Sequence, residues 1–93
     1  MIVGTLEVEL YLSGSDSLKY KRMIIRSLRD RLRKKFNVSV AETDLNDKWQ
    51  RARLGIAVVG NSRAHVDEVL QKAFVLIDAL PEAEIVDHGF DYT

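Results

Sequence analysis

Ile2, Gly4, Leu6, Val8, Leu10 and Leu12 fall on one parity of the chain, with Thr5, Glu7, Glu9 and Tyr11 on the other. That alternation predicts a first strand with one face buried. SGSDS reads as a turn, and Ser17 is placed to cap a helix that runs to about Phe36. Within this helix Leu18, Ile25, Leu28, Leu32 and Phe36 recur at three-, four- and seven-residue steps, an apolar stripe turned toward a core.

The period returns to two in NVSVAETD, with Val38 and Val40 inward, and in RARLGIAVVG, where Leu54, Ile56 and Val58 alternate. DLNDKWQ between them is a polar hairpin loop. Asn61 and Ser62 open a second helix with Val66, Val69, Leu70, Ala73, Ile77 and Leu80 on its apolar face and Pro81 at its end. AEIVDHGFDYT has enough β-formers for a short final strand, weakened by Gly89 and its acidic residues. The order β-α-β-β-α-β predicts an α+β, ferredoxin-like split βαβ sandwich: a four-stranded antiparallel sheet with two helices on one face. Its other face would carry Val3, Thr5, Ser39, Ala41, Gly55, Ala57 and Val59, a small and weakly polar surface. Such a face is either partly solvated or buried against a second subunit.

The 93 residues form one domain, because a chain of this length has no apolar area to spare for a second core. There is no cysteine, hence neither a disulfide frame nor a thiolate metal site. No apolar run approaches the roughly 20 residues that cross a bilayer, so no membrane partner is expected. MIVGTLEVEL lacks the basic opening and apolar stretch of a signal peptide, and Met1 reads as the native start of a cytoplasmic protein.

Ferredoxin-like domains host unrelated activities, so function is argued from sites. A metal chaperone of this fold needs a CxxC after the first strand, and an acylphosphatase needs a glycine-rich phosphate cradle; SGSDSLKYKR is neither. RNA-recognition motifs stack bases on aromatics of the central strands, whereas RARLGIAVVG has none. His65 and His88 have no second ligand at helix or hairpin spacing. Glu42, Asp44 and Asp47 cluster around the hairpin, without the glycine and distal glutamate of a calcium loop, and read as a solvated turn. With no nucleophile paired to a base, a non-enzymatic protein without metal or cofactor is expected.

Charge is where the chain departs from the ordinary. It is formally neutral, yet residues 18–36 carry nine positive charges and one negative, net +8, against −8 for the remainder. Lys19, Arg22, Arg26, Arg29 and Arg33 follow steps of three and four, forming one stripe beside the apolar one, roughly 21 Å long. Its four like-charged neighbour pairs oppose the helix by about 1–2 kcal/mol in total. Arg31, Lys34 and Lys35 sit in or near the last turn, where the helix dipole favours cations. Lys19, Arg22 and Arg26 have no such intrinsic reason. They are either solvated or paired with the acidic stretch of Glu82, Glu84, Asp87 and Asp91, or they meet a polyanion through arginine forks that match phosphate oxygens. Five phosphate contacts set a log K against log salt slope of about −3.5 to −4.5. Trp49, the single tryptophan, either closes the end of the core or anchors a partner.

SLKYKR, NVSVAETD, DKWQRARLGIAVV and NSRAHVDEVL together resemble the YlxP-like family of small bacterial proteins, a domain of unknown function, over nearly the whole chain. The resemblance implies a ferredoxin-like fold. Relatives tend to be encoded beside translation initiation factor two and ribosome-binding factor A, which implies a setting in translation or small-subunit assembly. The family carries no established catalytic residues. Its motif positions here are Ser17, Leu18, Lys19, Lys21, Arg22, Asn37, Val38, Ser39, Glu42, Asp44, Trp49, Gln50, Arg51 and His65. Lys21 falls inside the apolar stripe, either as a snorkelling lysine paired with Glu42 or Asp44 or as a phosphate contact.

The expected function is binding of RNA, with the small ribosomal subunit as the partner, through Lys19, Lys21, Arg22, Arg26, Arg29, Arg33, Lys34 and Lys35. The alternative is a homodimeric protein-interaction or small-ligand module using Trp49, Arg51, Arg53 and Ala57.

Overall fold

The computed structural model describes residues 1–93 and has six elements: β1 (Ile2–Tyr11), α1 (Leu18–Lys35), β2 (Ser39–Asp44), β3 (Arg51–Gly60), α2 (Arg63–Asp78) and β4 (Glu84–Tyr92). All strand pairings are antiparallel and the sheet order is β2-β3-β1-β4. This is the ferredoxin-like sandwich. α1 lies over β2, while α2 lies over β1, β3 and β4, so both helices cover one face. No helix is long and apolar enough to cross a membrane.

Local sequence accounts for the element ends. The Ser17 side chain accepts from Tyr20 N–H at the start of α1, and that of Ser62 accepts from His65 N–H at the start of α2. Between the layers, Leu6, Val8, Leu10 and Leu12 of the first strand and its extension meet Ile25, Leu28 and Leu32 of α1 and Val66, Leu70, Ala73 and Ile77 of α2. Each of these larger side chains contributes about 1.5–3 kcal/mol by leaving water. At Gly4 the packing is closest: a Cβ there would stand 2.9 Å from Leu70 Cδ1 and closer still to Val66, so only glycine lets α2 approach.

Two details differ from expectation. β4 is nine residues long rather than short, pairing with β1 from Gly4↔Tyr92 to Tyr11↔Glu84. A register shift between Glu9 and Leu10 places Ile85 opposite Leu10 but Asp87 opposite Glu9. The extra residue, Val86, breaks the alternation that would have advertised the strand. Trp49 lies two residues before β3 and is 56% exposed, so it does not close the core.

Candidate nucleic-acid interface

α1 turns Lys21, Ile25, Leu28 and Leu32 inward, which leaves Lys19, Arg22, Arg26 and Arg33 exposed on one flank and Arg29 half-buried beside them. This flank faces the free edge of the sheet: Arg22, Arg26 and Arg29 border a small groove against Val40 and Glu42 of β2. Lys34, Lys35 and Arg31 continue the positive surface around the helix end, and Met23, 58% exposed, is the apolar residue among these cations.

The acidic C-terminal stretch does not cover this surface. β4 occupies the edge opposite β2, so Glu84, Asp87 and Asp91 are separated from α1 by the width of the sheet. Asp87 pairs instead with Arg53 on the open face, at 3.6 Å. Within the stripe the single ion contact is from Arg29 Nε to the neighbouring Asp30, at 3.8 Å. The chain is thus polarised, with a cationic α1 at one side and acids at the other.

Lys21 departs from its expected place among the phosphate contacts. It is 0% exposed; its Nζ donates to the carbonyls of Leu45 (2.9 Å), Asn46 (3.3 Å) and Arg51 (3.2 Å) and lies 3.0 Å from Glu42 Oε2. With three protons directed at three carbonyls and no surface, it reaches neither solvent nor a ligand. The apolar stripe carries the lysine inward, and the ends of β2 and β3 supply its acceptors. One acceptor belongs to Leu45, whose φ of 63° puts a non-glycine residue in the left-handed region. Asp44 Oδ1 accepts from Leu45 N–H at 2.8 Å and Lys48 N–H donates to Leu45 O, which tightens this turn further. Glu42, Asp44 and Asp47 therefore do not converge on a common point.

Of the expected interface residues, Arg51, Arg53 and Ala57 fall on the open sheet face while Trp49 lies in the loop before β3, and the open face has two unlike halves. Thr5↔Ala57↔Ser39 and Glu7↔Gly55↔Ala41 run across the sheet in register, with Val3 opposite Val59 beyond them. That half is small-sided, as its composition implies. The other half is an ion network that alternation alone did not assemble: Arg53 meets Glu7 (3.0 Å), Glu9 (3.2 Å) and Asp87, and Arg51 meets Glu9 (3.0 Å) with its guanidinium over the Tyr11 ring. The hydrogen bond to Glu7 holds Arg53 further toward its charged form. Arg51 and Arg53 are consequently engaged within the chain, and the signal for this was the cross-strand register Glu9↔Arg53.

Elsewhere, His65 is exposed at the start of α2, and His88 forms a three-ring cluster with Phe74 and Phe90, at centroid distances of 4.7 Å to Phe74 and 5.9 Å to Phe90, with 6.0 Å between the two phenylalanines. Tyr92 donates a hydrogen bond to Asp67 Oδ1, and Arg63 stacks over the Tyr92 ring at 4.6 Å, fastening β4 to α2.

Fold and surface define the class: a ferredoxin-like α+β domain with one strongly cationic helix bordering a free sheet edge. The chain belongs to the family of proteins of unknown function DUF503, whose model matches residues 3–89. It is 39% identical over 83 residues to the uncharacterized protein YlxP of Bacillus subtilis strain 168, covering 89% of this chain and 90% of that protein.

Proposed function

We propose that the chain is a non-enzymatic cytoplasmic RNA-binding protein that grips phosphates through α1, with RNA of the small ribosomal subunit as its partner in assembly or translation. The observation that carries this reading is the exposed flank of Lys19, Arg22, Arg26 and Arg33, unpaired because the acids lie on the opposite sheet edge. Keeping like charges in one row opposes the helix, and a polyanion converts that cost into binding. The genomic setting implied by the family resemblance supports the choice of RNA.

The test is binding of the wild-type protein and of the Arg22→Glu, Arg26→Glu double variant to small subunits and their RNA across a salt series. Four exposed stripe cations on a single strand give a slope of about −3. Saturable binding with that slope, weakened in the variant, is expected; salt-independent or absent binding overturns the reading.

A second reading, a homodimer joined through the open sheet face, is favoured by Val59, which is 60% exposed opposite Val3 in the small-sided half. In that case Ala57→Arg splits a dimer seen by sedimentation, and the α1 variant leaves it intact.

A further inference from the structure

We infer that the free edge of β2 accepts an extended acidic segment of a partner protein as a fifth strand, with its carboxylates held under the cationic flank of α1. This goes beyond the RNA reading and does not depend on it. β2 ends the sheet on one side, so alternate backbone N–H and C=O groups of Ser39–Asp44 point away from β3 and are open to a partner. The opposite edge is guarded: β4 is bent by the extra residue Val86 and carries Glu84, Asp87 and Asp91. β2 contains no lysine or proline, and Ser39–Glu42 pair with β3 without interruption, the irregularity falling later, between Glu42 and Asp44.

What lies over this edge selects the occupant. Arg22 and Arg26 of α1 border the groove against Val40 and Glu42, so the cationic stripe overhangs the side from which a fifth strand enters. The six residues of β2 span about 20 Å, close to the length of the stripe, and an added strand lies about 4.7–4.9 Å further out. Val40 and Glu42, in register with Ile56 and Leu54, are on the helix side of β2, whereas Ser39 and Ala41 are on the open face. By the same alternation every second residue of the added strand turns toward α1. Carboxylates at those positions meet the exposed guanidinium groups of Arg22 and Arg26. Glu42 does not oppose them as a free charge, because the Lys21 ammonium lies 3.0 Å from it. The intervening residues have the small side chains of Ser39 and Ala41 beside them and are unrestricted in type.

Other occupants match half of these features. Pairing with β2 of a second copy completes the ladder but sets two cationic stripes side by side, like charge against like. A nucleic-acid backbone answers the arginines and not the ladder, since it carries no N–H donors alternating with carbonyls at the strand repeat. An acidic strand satisfies both: main-chain hydrogen bonds supply affinity and the alternate side chains supply specificity.

The probe is a blocked heptapeptide with glutamate at every second position and threonine or valine between, titrated into the full chain while amide exchange is followed by NMR. Two N-methylated forms, one on the glutamates and one on the residues between them, block the two edges of the peptide in turn. The expected result is slowed exchange at Ser39–Glu42, and a loss of about tenfold or more for one methylated form and not the other, as two or three lost main-chain hydrogen bonds require. An isomer with its glutamates adjacent is expected to bind more weakly, and Arg22→Glu with Arg26→Glu to favour the lysine counterpart of the peptide. If neither methylation matters while charge reversal abolishes binding, the peptide lies on α1 as a counter-ion and the inference falls. Slowed exchange at β2 on raising the protein concentration alone assigns the edge to a second copy, and the same protection by single-stranded RNA but not by peptide assigns it to RNA; either overturns the inference. No binding of the peptide at about 1 mM also overturns it and leaves the RNA reading to its own salt series.

Discussion

Lys21 Nζ lies 3.0 Å from Glu42 Oε2 with no part of the lysine exposed, so α1, β2 and the loop before β3 meet at one buried charge. Taking a lysine and a carboxylate out of water costs several kcal/mol per ion, and their attraction repays this only when every remaining lone pair and proton is matched. Here the three carbonyls complete the lysine. The pair therefore specifies how the loop sits against α1 more than it adds stability.

Lys21→Met leaves Glu42 and three carbonyls without their partner. We expect a loss of about 3–5 kcal/mol in urea unfolding. Adding Glu42→Leu removes the uncompensated carboxylate and restores part of that loss, because the carbonyls of Leu45, Asn46 and Arg51 remain short of a donor.

Arg22→Glu with Arg26→Glu acts on exposed side chains and turns the 19/22 and 26/29 repulsions of the stripe into attractions, while 22/26 stays a like-charged pair. Each like-charged pair relieved returns about 0.2–0.5 kcal/mol. The thermal midpoint of the variant is expected to equal or slightly exceed that of the wild type, so any loss of RNA affinity is a property of the surface and not of unfolding.

Gly4→Ala inserts a methyl group into Val66 and Leu70. A loss of about 1–3 kcal/mol is expected from the displaced helix. Hydrogen exchange places the damage if amides of α2 lose protection before those of α1.

Asp67 and Tyr92 set the pH limits of the α2–β4 junction. The hydrogen bond from Tyr92, aided by Gln71 and Arg63, holds Asp67 below its ordinary value of 3.8; its contribution is present above that value and fades as pH falls through the lowered one. Burial, then the bond to Asp67, raises Tyr92 above 10.0; its contribution is full below 10.0 and fades as pH rises through the raised value. Tyr92→Phe is expected to flatten both limbs of the stability–pH curve, leaving the interval between about pH 5 and 9 with the least curvature.

Trp49→Ala removes a largely exposed ring, and a change within about 0.5 kcal/mol is expected. A tryptophan closing the core would cost about 3–5 kcal/mol in the same measurement.

Periodicity carried most of the architecture. The alternation of Leu6, Val8 and Leu10, the α1 stripe of Ile25, Leu28 and Leu32, and the caps at Ser17 and Ser62 are local features, because side-chain direction repeats every two residues in a strand and every 3.6 in a helix. The same periodicity placed the cations in one row. It could not say what stood opposite them. Only the order β2-β3-β1-β4 put Glu84, Asp87 and Asp91 on the far edge from α1, since strand order follows from long-range pairing and not from local pattern. Likewise Lys21 sat visibly in the apolar stripe, but its three carbonyls and Glu42 come from residues 21 to 30 positions away, and the bulge at Val86 hid most of β4. The chain by itself determined which residues face inward and which carry charge. Tertiary packing decided which charges were left without partners, because pairing depends on distance in space, which the spacing along the sequence does not encode.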